Sequence, residues 1–185
     1  LVEVPSFCIC GWHDAYPEDM CRIFNAVRGP KRLLFGPWKH IMPNLSPVVP
    51  IDFLPEVDRW WDRWLKGIEN GVEKELPVTI YVQGAGQWRH EREWPIARRH
   101  EQRLFPARDY ALTASKSKEL ASDLYDYDAR GGLASTAYDS VLRTIPYPQD
   151  QTADDLLSLH YTSEPLGEVL EVTGQPVVRL FFSTE

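Results

Sequence analysis

The sequence predicts an α/β chain whose first half builds a parallel sheet and whose second half turns to antiparallel β-structure. Three observations carry this. A strand, an amphipathic helix and a second strand follow one another between Val4 and Phe35, the order of a βαβ unit and therefore of parallel strands. A second amphipathic helix and a further strand follow by Val82. Beyond Pro95 the helical stripes disappear, and short strand-like runs alternate with turn signals, as in an antiparallel β-sandwich.

Each element has a local cause. Val4 to Cys10 is apolar with little alternation, the pattern of a strand covered on both faces. Pro17 suits the first position of a helix, where its missing N–H costs nothing, and Glu18 and Asp19 complement the helix dipole. Met20, Ile23, Phe24 and Val27 recur at i, i+3, i+4 and i+7 and predict one buried stripe, which Gly29 and Pro30 end. Lys31 to Phe35 is the second strand. After a loop holding Pro43, Pro47 and Pro50, a helix from Pro55 to Lys66 places Val57, Trp60, Trp61, Trp64 and Leu65 on its apolar side, with Asp62 and Lys66 a favourable i, i+4 pair. Core packing accounts for this tryptophan stripe more simply than an aromatic ligand box. Pro77 to Val82 alternates as a strand should. Later strand candidates are Gln102–Phe105, Asp123–Tyr127, Leu170–Thr173 and Val177–Ser183, with Gly131-Gly132 as a turn. The domain boundary falls between Pro95 and His100, giving residues 1–97 and 98–185.

Composition narrows the function. With 43% hydrophobic residues the 185-residue chain can bury a core. A net charge of −7 argues against a nucleic-acid partner, and Arg98-Arg99-His100 is too short a basic cluster to track phosphates. No apolar run approaches the roughly 20 residues of a membrane span. The chain opens at Leu1 without a signal peptide and stops just after a strand-like run, so both ends read as cut. Cys8, Cys10 and Cys21 provide no disulfide framework. Cys8 and Cys10 share one face of a strand, where buried thiols are the simpler reading and a metal or redox pair the alternative. Three unpaired cysteines lean toward a reducing compartment, without fixing it.

The chemistry concentrates in two loops, Gly11-Trp12-His13-Asp14 and Gly36-Pro37-Trp38-Lys39-His40, each placed where a strand runs out. Ligands and catalytic groups of open α/β sheets collect beyond the carboxyl ends of the strands. An Asp and then a His in this arrangement are the acid and base that activate a serine: the imidazole takes the hydroxyl proton, and the carboxylate fixes the tautomer and stabilises the imidazolium. Asp14 would accept a hydrogen bond from one ring nitrogen of His40, leaving the other for a nucleophile. The bland alternative makes Asp14 a turn or helix-cap residue and His40 a loop histidine. A metal held by His13, Asp14 and His40 is the other alternative, but the spacing of a known site is missing. No G-x-S-x-G occurs; Ser6 lies inside a strand and Ser46 in the proline-rich loop.

These two motifs are followed by Trp61-Asp62-Arg63-Trp64-Leu65-Lys66-Gly67, by Gln87-Trp88-Arg89 and by Glu93-Trp94-Pro95. Further on stand Leu124-Tyr125-Asp126-Tyr127-Asp128, Tyr161-Thr162-Ser163-Glu164-Pro165-Leu166 and Val172-Thr173-Gly174. In this order they resemble the Xaa-Pro dipeptidyl-peptidase and cocaine-esterase class of serine hydrolases over nearly the whole chain. The resemblance implies the C-terminal part of an α/β-hydrolase domain followed by part of a jelly-roll β-sandwich. It implies Asp14 and His40 as acid and base of a Ser-His-Asp triad whose serine, oxyanion hole and much of the helical cap lie upstream of Leu1. The expected substrate is a short peptide or small ester, with no cofactor and no metal; assembly into homo-oligomers stays open. The fragment alone would be inactive. A non-catalytic binding module acting through the β-sandwich is the competing expectation.

Overall fold

A computed structural model describes residues 2–132 and 150–184. It divides into two units, one of residues 1–99 with 172–185 and one of residues 100–171.

The first unit is built on a four-stranded mixed sheet: β1 (Ser6–Gly11), β2 (Lys31–Gly36), β3 (Val78–Val82) and β4 (Gln87–Glu91), in that spatial order. β1, β2 and β3 run parallel, and β4 closes the edge antiparallel to β3. The helix α1 (Pro17–Ala26) makes the β1–β2 crossover, and α2 (Leu54–Trp64) lies in the longer connection to β3. Because side chains alternate across a strand, the sheet has two apolar faces. Cys8, Cys10, Leu33, Phe35, Val78 and Ile80 point to the face shared with Cys21 and Phe24 of α1 and with Trp94 and Ile96. Leu34, with Phe7 and Ile9, points to the opposite face, with Phe53 and Val57 at the start of α2. Phe7 meets Trp60 of α2 with ring centroids 5.8 Å apart.

Both helices bury or partly bury much of the stripes their sequences predict, Met20, Phe24 and Val27 for α1 and Val57 and Trp60 for α2, but differ at single positions. In α1 the buried positions are Cys21 and Phe24, followed by Val27 at its end, while Ile23 is exposed. In α2 the inward line runs through Trp60; Trp61 and Leu65 are exposed. The cause is visible on the flank of α2. Arg59 pairs with Glu56 and Glu75, and Arg63 with Glu73. These contacts turn the arginine side toward the chain preceding β3 and Trp61 away from it. At the end of α1, the Lys31 ammonium donates to the carbonyls of Phe24 and Val27, at 3.0 and 3.1 Å. The first residue of β2 thus satisfies helix carbonyls that have no intrahelical donor.

β4 is a strand the sequence did not announce, since Gln87-Trp88-Arg89-His90-Glu91 is mostly polar. Its register against β3, from Val78↔Glu91 to Val82↔Gln87, makes it a sheet edge, where polar residues are tolerated. Glu91 at its end is buried, and hydrogen bonds from Arg98 hold its carboxyl below the usual range.

In the second unit the described residues hold less β-structure than the sequence predicts. β5 (Phe105–Pro106) pairs antiparallel with β6 (Leu112–Thr113), and Ala111 bridges to Thr162. A four-residue helix, α3 (Thr152–Asp155), also lies among its described residues. The strand expected at Gln102–Phe105 shrinks to its last residue, and Asp123–Tyr127 carries no ladder. Nor do Leu170–Thr173 and Val177–Ser183, in the segments grouped by the two units, and the side chains of Phe181 and Phe182 are 94% and 87% exposed. An apolar alternating run becomes a strand only when another strand takes up its backbone groups, and none does so among the described residues. The described residues form a mixed four-stranded sheet and one two-stranded ladder. No helix among them is long and apolar enough to cross a membrane.

Burial of the three thiols sets a pH limit on this core. Burial, with the Asp14 charge adding to it, pushes Cys10 up from 9.0 to about 12, and burial pushes Cys21 up to about 11. A group whose pKa is raised by folding stabilises the fold fully below its unfolded value and loses that contribution as pH rises through the folded one. Melting temperature should therefore fall as pH rises from 9 toward 11. Thermal melts of C10A/C21A should show a shallower decline than the wild-type chain.

Candidate active site

β1 and β2 end side by side at Gly11 and Gly36, and each glycine permits an approach that a side chain would block. A Cβ on Gly11 would lie 2.0 Å from the Trp38 carbonyl oxygen, and one on Gly36 would lie 2.5 Å from the Trp38 ring. Trp38 itself is fully buried and donates its indole N–H to the Val49 carbonyl at 3.0 Å. Around it the two loops are joined by backbone: Trp12 N–H donates to Gly36 O at 2.8 Å, and His13 N–H to Trp38 O at 2.9 Å. A turn then closes by Asp14 N–H to Gly11 O at 3.1 Å.

This lattice brings Asp14 and His40 together. His40 Nδ1 lies 3.0 Å from Asp14 Oδ2 and 3.3 Å from Oδ1. A carboxylate can only accept, so the proton sits on Nδ1 and, in the neutral ring, Nε2 carries the lone pair. Asp14 is nearly covered, its side chain 11% exposed, while that of His40 is 53% exposed. Asp14 Oδ1 also accepts from the backbone N–H of Tyr16 at 3.3 Å, and the Tyr16 ring meets the His40 imidazole edge-on. The pair is therefore an oriented imidazole over a semi-buried carboxylate, capable of general base and then general acid chemistry at Nε2.

His13 turns elsewhere. Its Nε2 lies 2.7 Å from Gln83 Oε1, and among the described residues no three His, Cys, Asp or Glu side chains converge as a ligand set. Cys8 and Cys10 lie buried in the apolar face against α1. A groove of about 280 Å³ opens at the other end of the sheet, lined by Pro30, Arg32, Trp60, Trp64 and Pro77. It lies at the amino ends of β2 and β3, away from Asp14 and His40.

Sequence reasoning missed the residues that support the Asp14 loop from β3 and beyond. The Trp12 indole donates to the Tyr81 carbonyl at 2.8 Å, stacks on Phe35 with centroids 3.9 Å apart, and meets Trp94 at 5.8 Å. One signal was available: Gln83 directly follows β3, as the Asp14 and His40 loops follow β1 and β2. All three stand beyond the carboxyl ends of parallel strands.

Gly36→Ala tests the close approach. Overpacking of this kind costs about 1–3 kcal/mol, so denaturant unfolding should show a loss of that size. The same substitution at Gly67, where nothing lies within 4 Å but φ is +73°, should be limited to backbone strain of about 1 kcal/mol.

Two family models match the chain. That of the X-Pro dipeptidyl-peptidase (S15 family) covers residues 1–42, and that of the X-Pro dipeptidyl-peptidase C-terminal non-catalytic domain covers residues 70–185. A Mycobacterium bovis protein whose name assigns it to the serine esterases is 30% identical over 195 residues, covering 94% of this chain and 30% of its own. The cocaine esterase of a Rhodococcus species is 26% identical over 209 residues, covering 99% of this chain and 36% of its own. The chain thus spans about a third of the length of these relatives. A crystal structure of an aminopeptidase from a Thaumarchaeota archaeon overlaps 66% of this chain and 22% of its own, at 20% identity and a TM-score of 0.45, too loose a likeness to bear on activity.

Proposed function

Since the chain belongs to the X-Pro dipeptidyl-peptidase and cocaine-esterase family, we propose that it carries the acid and base of a Ser-His-Asp acyl hydrolase, Asp14 and His40. The observation that carries this reading is the 3.0 Å contact of His40 Nδ1 with Asp14 at the carboxyl end of a parallel sheet. The nucleophilic serine belongs to chain outside these residues, since the sequence holds no G-x-S-x-G and no serine among the described residues stands on a strand-to-helix elbow.

In this mechanism the serine Oγ attacks the acyl carbon while His40 Nε2 takes the hydroxyl proton. Asp14 stabilises the resulting imidazolium through Nδ1–H. The imidazolium then gives its Nε2 proton to the departing amine or alcohol as the acyl bond breaks. Water repeats the attack on the acyl-serine, its proton passing to His40 and back to the serine. No cofactor or metal enters these steps. The substrate class is a short peptide, in the X-Pro manner of the family models, or a small ester, as the relatives' names suggest.

Residues 1–97 form the end of the α/β-hydrolase domain in this reading, and residues 98–185 the start of a jelly-roll domain. The continuous sheet from β1 to β4 supports the first assignment and the C-terminal family model the second. The family names favour a hydrolase over a purely binding module.

The test is labelling of the full-length protein by a fluorophosphonate, with ester turnover measured in parallel. Asp14→Asn should lower kcat on the order of 10⁴-fold through the wrong tautomer, and His40→Ala should abolish labelling. Unchanged labelling and turnover in His40→Ala would sink the assignment.

A further inference from the structure

The stretch matched by a domain model described as non-catalytic begins at residue 70 and so contains β3 and β4. Yet these two strands belong to the same sheet as β1 and β2, and the turn between them reaches the Asp14 loop. We propose that Gln83, in that turn, is a positioning residue for the Asp14–His40 pair and acts through His13. The inference rests on the triad reading above and extends it: the C-terminal stretch closes the loop that carries the acid.

Three contacts hold the loop from this side. The Trp12 indole donates to the Tyr81 carbonyl at 2.8 Å, the Trp12 ring meets Trp94 at 5.8 Å, and His13 Nε2–H donates to Gln83 Oε1 at 2.7 Å. The first two fix Trp12. The third fixes His13, whose carbonyl is bonded directly to the Asp14 backbone nitrogen. On the other side His13 N–H is tied to the Trp38 carbonyl, two residues before His40. His13 is thus held between the β3–β4 turn and the His40 loop, directly before Asp14 in the chain. A local Asx contact to Tyr16 N–H, at 3.3 Å, is the carboxylate's own restraint and does not set where the loop stands relative to His40.

The tautomer of His40 reports this geometry directly. With Asp14 in place, Nδ1 carries the proton; with the loop loosened, the ring reverts to the mixture of an exposed imidazole. Long-range ¹H–¹⁵N spectra of the 185-residue chain, recorded where imidazole is neutral, should show His40 predominantly Nδ1–H. Gln83→Met, which keeps the length of the side chain and removes the acceptor, should shift His40 toward that mixture without lowering the melting temperature. His13→Phe should do the same, and the double variant should shift no further than either alone. Gln83→Glu, which keeps an acceptor oxygen, should restore the wild-type spectrum.

An unchanged His40 spectrum in Gln83→Met, or additive shifts in the double variant, overturns the positioning role while leaving the Asp14–His40 pair intact. A wild-type spectrum already dominated by Nε2–H, and insensitive to Asp14→Asn, overturns the pair itself. The two failures are read from different samples.

Discussion

The close approach of the two strand ends around Trp38 is the constraint on which the rest of the site depends. The absence of a Cβ at Gly11 and Gly36 allows the Trp38 backbone and ring to settle between them. Loop backbones can then hydrogen-bond across the gap instead of to water. A fully buried indole with its N–H satisfied by Val49 holds the His40 loop from within. The hydrogen bond between Asp14 and His40 is the outward expression of this packing. Two exposed flexible loops would have to lose their conformational freedom to make such a bond; here that freedom is already lost to the glycine seats and the backbone lattice.

The Asp14 carboxylate faces two environments at once. Outward it meets a half-exposed imidazole; inward its charge reaches the Cys10 thiol in the core. A thiol so placed stays protonated and apolar in behaviour, which suits a core position beneath a carboxylate. Burial removes thiolate character and with it both metal affinity and nucleophilicity. Cys8 and Cys10, though spaced for one face of a strand, therefore serve packing against α1 and Trp94.

Local pattern made the first half of the chain legible. β1, α1, β2, α2 and β3 each announced themselves through apolar periodicity, Pro17 or a terminating glycine, and they fall within a few residues of the ranges expected. The Asp14–His40 juxtaposition was one of the readings that the two strand ends offered, and the family resemblance selected it. What was not legible depends on partners distant in sequence. The exact buried face of α2 is set by Glu73 and Glu75, to which Arg63 and Arg59 turn. β4 is polar and exists because β3 offers it an edge. The alternating runs after Pro95 predicted strands, but alternation describes two faces and not the neighbour that a ladder requires; Val177, Val178 and Leu180 remain exposed. Gln83 escaped notice because glutamine in a glycine-flanked turn has no pattern of its own.

The contacts of the site also differ in how much chain they enclose. Asp14 and His40 are 26 residues apart, bridged by one helix and one strand, whereas the tethers from Trp12 to Tyr81 and from His13 to Gln83 span 69 and 70. Closing a loop costs entropy that grows with its length, and distant contacts slow folding. The Asp14–His40 contact is accordingly short-range and needs only a single βαβ crossover, whereas its outer braces need the chain as far as the turn after β3. The geometry of the pair is thus enclosed within one compact stretch of chain, and the sequence that follows adds only its braces.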